Sequence, residues 1–429
     1  MQDMDSTDAP LPSPPFASGL PVLEQFSSTG TRLLTQEIRL TSPVFENYEY
    51  VAGLYYSKNT TDKDFERGPV FFYADWEAET ENETYAIFGQ GKLNLSDQWA
   101  LIAGLRYNVE EISVSYDRED NPFTPPLGPA GDQSFVVDNE SDKDKVVTGK
   151  LALQYFPNDD LMFFGGYSRG YKGQAYDVTS SFSSFSVDNP VAPETSDAYE
   201  LGMKSTLLDG RMQFNAVLFY SEYSDFQAQS RVDDPSTGST ELKLNNVGDL
   251  ETMGLEVDAI FLVSENLRLT LGAAYIDATI KSFEEADCYA LQTAAQGCVG
   301  GTQDLSGEDL NNSPDLKYTL AGEYTLPFDN MPFNGFIDFS YQWQDDVHFD
   351  LLGDPAMKQD AYGIFNLSMG IDAKDENYRV TLFANNLFDK QYVSNMSSSQ
   401  AIYGGADVRV HQIPRGAERQ VGLRVNMDF

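Results

Sequence analysis

The feature that most constrains the fold is an alternation of apolar and polar residues that recurs along most of the chain. In the last segment, Val421, Leu423 and Val425 alternate with Gly422 and Arg424. Alternation with period two places all apolar side chains of a strand on one face. Similar segments occur at residues 99–107, 147–155, 267–275, 316–326 and 378–385. About fifteen such segments predict an all-β, antiparallel fold.

The connections between these strands alternate in length. Short links are predicted at residues 41–46, 96–97, 157–159, 209–210, 264–265, 327–332 and 374–375. Long links are predicted at residues 58–82, 118–141, 173–194, 227–240, 282–313, 348–360 and 390–417. Short turns at one end and long loops at the other are typical of outer-membrane barrels, whereas a soluble sandwich has no reason to sort its loops. The pattern predicts a transmembrane β-barrel whose Tyr and Phe residues form girdles at the interfaces.

Composition is compatible with a membrane barrel and excludes nucleic acid as a partner. Mean hydropathy is only -0.38, but every second residue of a barrel strand faces away from lipid. The net charge is -39, from 28 basic and 67 acidic residues, and a phosphate backbone requires a basic surface. The acid is concentrated in residues 62–66, 117–120 and 138–144, which we interpret as solvated loops. Capture of a cationic ligand is the alternative.

Residue types that carry catalysis or bind metals are few. The chain has 2 His residues, His348 and His411, which do not make a metal site with the 2 Cys residues. No phosphate-binding loop, zinc spacing or nucleophile motif occurs. The sequence predicts no enzyme, no cofactor and no metal site.

Several motifs resemble those of the TonB-dependent outer-membrane receptors. The run LFANNLFDKQY at residues 382–392 resembles the family's penultimate-strand signature. The segments YSRGYKG at residues 167–173 and PETSDAYELGMK at residues 193–204 resemble two earlier barrel strands. The resemblance covers residues 33–429, the predicted barrel domain. Residues 1–32 are rich in Pro, Ser and acid and predict a loop or tail.

The resemblance implies a partial barrel in the outer membrane. Plugged outer-membrane transporters have about 22 strands, so about fifteen predict a part of one. Nothing before residue 33 resembles the family's plug or energy-coupling segment, and we expect coupling to the TonB complex only through that missing region. The implied function is uptake of a scarce ligand, first of all a ferric siderophore, with cobalamin or a carbohydrate left open. A passive channel and a soluble β-rich binding protein are the alternatives.

Two expectations concern the long loops. The aromatic residues Tyr176, Phe182, Phe185 and Tyr403 are candidates to face a ligand, with packing inside the loops as the alternative. Cys288 and Cys298 lie in one external loop of a chain that would pass through an oxidising periplasm. A disulfide between them is therefore predicted.

Two more expectations concern the end of the chain. The resemblance assigns a family signature to Asn385, Asn386, Leu387, Asp389 and Tyr392. Its Asn and Asp side chains are expected to cap a strand end through bonds to the backbone. The terminal Phe429 is expected to be read by the barrel-insertion machinery, with a simple anchor in the lipid interface as the alternative.

Overall fold

Strands make up most of the molecule. The computed structural model describes residues 24–68, 73–123, 132–236, 239–398 and 409–427. The strands are β1 Glu24–Thr41, β2 Tyr48–Gly68, β3 Ala74–Ser96, β4 Trp99–Arg118, β5 Phe135–Asn158, β6 Leu161–Lys172, β7 Glu194–Leu207, β8 Met212–Asp234, β9 Ser239–Ser264, β10 Leu267–Ser282, β11 Ala286–Asp287, β12 Thr302–Gln303, β13 Leu316–Leu326, β14 Phe333–Gln344, β15 Val347–His348, β16 Lys358–Gln359, β17 Tyr362–Ala373, β18 Tyr378–Asn385, β19 Asn395–Ser398, β20 Arg409–Gln412 and β21 Gln420–Met427. One short helix, α1, spans Ser184–Asp188, and 3₁₀ turns span Ala294–Gln296 and Arg415–Ala417.

A single antiparallel sheet contains 15 of these strands, in the order β1 to β10, β13, β14, β17, β18 and β21. The remaining strands form three two-stranded pairs within the long connections. Over the described residues, the sheet is open between β1 and β21. The all-β prediction of about fifteen antiparallel strands is confirmed.

The two ends of the sheet differ. At one end, the short-turn end, tight links such as residues 97–98, 159–160 and 265–266 join the strands. The opposite end, the loop end, carries the long connections. There β2 has 21 residues, β5 has 24 and β9 has 26, whereas about 9–11 tilted residues cross a bilayer. These strands therefore project well beyond the rest of the sheet at the loop end.

The structure corrects several predicted boundaries. Residues 58–82 were predicted as a long link, but residues 58–68 and 74–82 lie in β2 and β3; residues 62–66 and 138–144 likewise lie in strands. Polarity is a poor loop signal here because a strand that projects beyond the membrane can expose polar side chains to water. The barrel boundary at residue 33 is also wrong, because β1 begins at Glu24 and includes residues assigned to the tail.

One face of the sheet is a continuous exposed apolar surface. Ile38, Leu54, Ile87, Tyr107 and Val147 lie directly opposite one another on β1 to β5. Their exposed fractions range from 41% to 72%. Water would make a surface of this extent costly, because each exposed apolar side chain forfeits its transfer free energy. The row suits contact with lipid, and we call this side the outer face.

Aromatic pairs lie on the outer face towards both ends of its apolar band. The rings of Tyr56 and Tyr85 are 5.0 Å apart on the loop-end side, and both hydroxyls donate to Glu83. Trp99 and Tyr155 stack at 4.5 Å beside the short-turn end. Rings with one apolar body and one polar tip fit a boundary between lipid and water.

The inner face carries a repeated pairing of phenylalanine with glycine. A Cβ atom added to Gly53 would meet the ring of Phe88, its direct partner on the next strand. The same holds for Gly254 and Phe219. Three further pairs share this arrangement: Phe164 with Gly202, Phe336 with Gly370, and Phe383 with Gly422. Each ring lies against the neighbouring strand, where only glycine leaves room for it.

Candidate ligand-facing site at the loop end

The connection between β6 and β7, residues 173–193, folds against the inner face at the loop end. It contains three of the four aromatic residues expected to face a ligand. Phe182 is 0% exposed, so the structure corrects that expectation and places its ring in loop packing. Tyr176 packs edge-on against it at 6.3 Å, and Phe185 is half-buried. Tyr403 lies outside the described residues.

Phe182 inserts into an aromatic cluster on the projecting strands. Its ring is 5.0 Å from that of Tyr116, which is 5.6 Å from Trp76. Phe65 stacks on Trp76 at 5.2 Å, and Val114 is 1% exposed beneath them. Alternation places these wall residues on the inner face of β2, β3 and β4. The Phe182 ring is therefore held inside a buried aromatic cluster of the wall.

Polar tips of the same wall bind the backbone of the loop. The Trp76 indole donates to Ser180 Oγ at 3.0 Å, and the Tyr116 hydroxyl donates to the Thr179 carbonyl at 3.0 Å. Arg118 donates to the Ser180 carbonyl at 2.7 Å. Burial raises the pKa of Tyr116 to about 12, although the nearby Arg118 lowers it somewhat, so the phenol remains a donor at neutral pH.

Cations surround this cluster on its inner side. Lys63 Nζ lies 5.1 Å from the Trp76 ring centre and donates to the Val178 carbonyl at 3.4 Å. The Arg67 guanidinium lies 5.6 Å from the Phe65 ring centre. Desolvation by burial lowers the pKa of Arg67 without removing its charge at neutral pH. This wall therefore combines aromatic surface with positive charge.

The far side of the loop is held by a buried ion pair. Lys243 Nζ binds Asp234 at 2.7 Å and Ser186 Oγ at 2.9 Å, and their side chains are 6% and 0% exposed for Lys243 and Asp234. Ser183 Oγ, which caps α1, donates to Asp234 at 2.5 Å. The ammonium also lies 5.8 Å from the Phe185 ring centre. We call this arrangement the Lys243 latch.

Opposing effects act on the pKa of Asp234. Burial raises it, but hydrogen bonds from Lys243, Ser183 and Ser236 outweigh that effect and lower the pKa below its usual range. The carboxylate is therefore charged throughout the ordinary pH range. A charge buried to this degree depends on its partners.

The connection between β10 and β13 forms a second packed unit at the loop end. Phe283 and Leu305 pack with Leu250 and Ile280 of the neighbouring strands in a buried apolar cluster. Within this connection the structure joins Cys288 to Cys298, with Cα atoms 5.6 Å apart, as the sequence predicted. Of the described residues, no three or more His, Cys, Asp or Glu are grouped to hold a metal ion.

Sequence reasoning missed the wall residues and the latch. Val114, Tyr116 and Arg118 continue the alternation of β4 into a segment whose acidic neighbours suggested a loop. That continued period was the available signal. Asp234 and Lys243 are distant from α1 in sequence, and nothing local indicates that they meet it.

Comparison with known proteins identifies the family. The family model described as "TonB dependent receptor-like, beta-barrel" matches residues 6–387. The chain belongs to the TonB-dependent receptors. As expected for that family it is an outer-membrane protein, and its loop end faces the exterior because long loops are extracellular in such barrels. Among the described residues, no helix has the length and apolar character needed to span a bilayer.

Curated relatives and solved structures agree with this assignment. The ferric-pyoverdine M114 receptor PbuA of Pseudomonas sp. is 25% identical over 320 residues, covering 73% of this chain and 33% of the relative. The ferrioxamine B receptor of Salmonella typhimurium is 24% identical over 72% of this chain and 37% of the relative. The chain thus spans about a third of the length of these proteins. The crystal structure of the ferric yersiniabactin uptake receptor FyuA from Yersinia pestis superposes with a TM-score of 0.72 at 18% identity, over 96% of this chain and 56% of that one, and shows the same fold.

The signature turn after β18 is held by hydrogen bonds between side chains and backbone. Asn386, 2% exposed, exchanges bonds with the Lys390 backbone at 2.8 and 3.0 Å and donates to the Gly416 carbonyl at 3.2 Å. Asp389 accepts from the Arg419 backbone amide at 2.9 Å. Tyr392 stacks on Tyr362 at 4.5 Å. The turn ties the end of β18 to the approach of β21, which is a capping role.

Proposed function

We propose that the chain is the barrel part of a receptor that takes up a ferric siderophore across the outer membrane, energised through the TonB complex. The family match carries the proposal, and the named relatives are receptors for ferric siderophores. The apolar outer face and the long, folded connections at the loop end support it. The family assignment speaks against a passive channel and against a soluble binding protein.

The proposed cycle assigns different tasks to the parts described. The loop end would bind the chelate from the medium, and the inner face would line its route. The family is one of transporters, so we expect no catalytic step. Coupling to TonB is expected to require receptor segments other than those described, and Phe429, which lies outside the described residues, is proposed as the signal for barrel insertion.

Iron uptake by living cells tests this function. A strain in which the gene is deleted should take up less radioactive iron from its own or supplied siderophores under iron limitation, and the intact gene should restore uptake. A second strain without TonB is the control for energy coupling. Uptake that is unchanged by the deletion, or that continues without TonB, would contradict the proposal.

A further inference from the structure

We propose that the inner wall of β2–β4 is a binding site for an aryl group that bears anionic oxygens, such as a catecholate arm of a ferric chelate, and that loop residues 178–182 occupy it in this structure. The inference rests on the proposed function and names the substrate class of that receptor. We call the site, formed by Lys63, Trp76, Val114, Tyr116 and Arg118, the aryl site.

The loop segment occupies the site as such a ligand would. Its Phe182 ring fills the apolar part against Val114 and Tyr116. Its oxygen atoms meet four donors of the wall: Lys63 with the Val178 carbonyl, Tyr116 with the Thr179 carbonyl, and Trp76 and Arg118 with Ser180. A ring and a set of oxygen acceptors are thus recognised side by side. An aryl group with ring oxygens presents the same combination in one rigid unit.

The charge of the site selects anionic oxygens. Beside the rings of Phe65, Trp76 and Tyr116, the inward-facing charged residues of β2–β4 are the cations Lys63, Arg67 and Arg118. The inward-facing acid of β4, Glu110, lies further along the strand, where it accepts a hydrogen bond from Asn82 at 2.6 Å. The acids next to the rings in sequence alternate with them and so lie on the outer face: Asp64, Glu66, Asp75, Glu77 and Asp117. The wall beside the rings therefore carries positive charge, although the net charge of the whole chain is -39. Hydrogen bonds from cations to anionic oxygens are stronger than those to the neutral carbonyls they now serve.

The loop competes with the ligand for the aryl site. When only a fraction of molecules has the loop released, the apparent dissociation constant rises by the inverse of that fraction. The Lys243 latch holds the loop in place from its far side. Weakening loop docking should tighten ligand binding, whereas removing a wall donor should weaken it. Simple loop packing does not predict these opposite signs.

Tryptophan fluorescence can measure binding at this site. The chain has 3 Trp residues, and replacing Trp99 and Trp343 by Phe leaves Trp76, 2% exposed, as the reporter. The protein in detergent micelles is titrated with the gallium(III) complex of 2,3-dihydroxybenzoate, because gallium is redox-inert. Gallium citrate, anionic without a ring, and gallium ferrioxamine B, a hydroxamate without a ring, are the comparison probes.

We expect a saturable change of Trp76 emission with the catecholate complex and none with citrate. Phe182→Ala should lower the apparent dissociation constant at least fivefold, and Arg118→Met should raise it at least tenfold. Lys243→Met retains Phe182 and should also lower the apparent dissociation constant. It keeps the test valid if Phe182→Ala fails to fold. Phe388→Ala, at a loop phenylalanine that is 74% exposed, is the matched control and should change nothing.

The outcomes separate this inference from the proposed function. No saturable emission change with catecholate, an equal response to citrate, or unchanged affinity in both loop variants would overturn the aryl site. If calorimetry then shows that the hydroxamate complex binds, the receptor function stands while the aryl site fails. If no chelate binds by either method, both fail.

Discussion

Replacing Lys243 by Met should release the loop that covers the inner wall. Methionine retains the length of the side chain but removes the ammonium that binds the buried Asp234 carboxylate. The lost interactions are the 2.7 Å ion pair, the 2.9 Å bond to Ser186 and the contact with the Phe185 ring. Breaking a buried pair by removing one partner costs about 3–5 kcal/mol. Since about 1.4 kcal/mol is a factor of ten, loop opening should become about 10²–10⁴ times more frequent.

Hydrogen exchange measures this opening directly. The amides of Val187 and Asn189 donate to the Ser183 and Phe185 carbonyls within the loop and exchange only when it opens. Their protection should fall by the same factor of about 10²–10⁴ in the variant. Lys143→Met is the control, because Lys143 and Glu111 form an exposed pair at 2.9 Å on the same projecting strands. Such pairs contribute about 0–1 kcal/mol.

The reasoning fails if protection of Val187 and Asn189 changes less than twofold in Lys243→Met. It also fails if the control variant loses as much protection. A double variant, Asp234→Leu with Lys243→Met, should recover part of the lost protection, because a buried ion pair can be replaced by apolar side chains at little cost.

Four further outcomes can be checked. Hydrogen bonds lower the pKa of Asp234 in the folded state, so the stability that its carboxylate contributes is complete above the ordinary carboxyl pKa of ~3.9 and is lost as the pH falls below it. Hydrogen exchange in the loop should therefore accelerate only at strongly acidic pH, and this acceleration should be absent in Asp234→Asn. Unreduced protein should show no free thiol, and opening the disulfide between Cys288 and Cys298 should destabilise that loop by about 2–3 kcal/mol in urea titrations. Gly254→Ala should destabilise the barrel by about 1–3 kcal/mol, read from its denaturation midpoint, because the added Cβ meets the Phe219 ring and a backbone oxygen. Asn386→Ala should cost about 2–3 kcal/mol by the same assay, because it leaves backbone groups of the signature turn unsatisfied.

Alternation determined how much of this fold could be predicted. It identified the strands that cross the membrane, because lipid on one side imposes a strict period on side chains such as Val421 and Leu423. Above the membrane the outer face meets water, so Asp62 or Glu79 on a strand looks like a loop residue. The strand ends were therefore misplaced. The disulfide was predictable from two cysteines in one loop, whereas the contact of Lys243 with α1 depends on a meeting of distant segments that no local pattern records.

The phenylalanine rings that lie over glycines on the inner face affect the internal clearance of the barrel. The number of strands and their stagger fix the circumference of such a cylinder, so its diameter can be changed only in coarse steps. A ring that stood upright from the wall would take away internal clearance at that height. By lying over Gly53, Gly202 and Gly254 on successive parts of the wall, the rings give the sheet apolar mass without narrowing it. The glycines are thus the positions at which this barrel keeps its internal clearance.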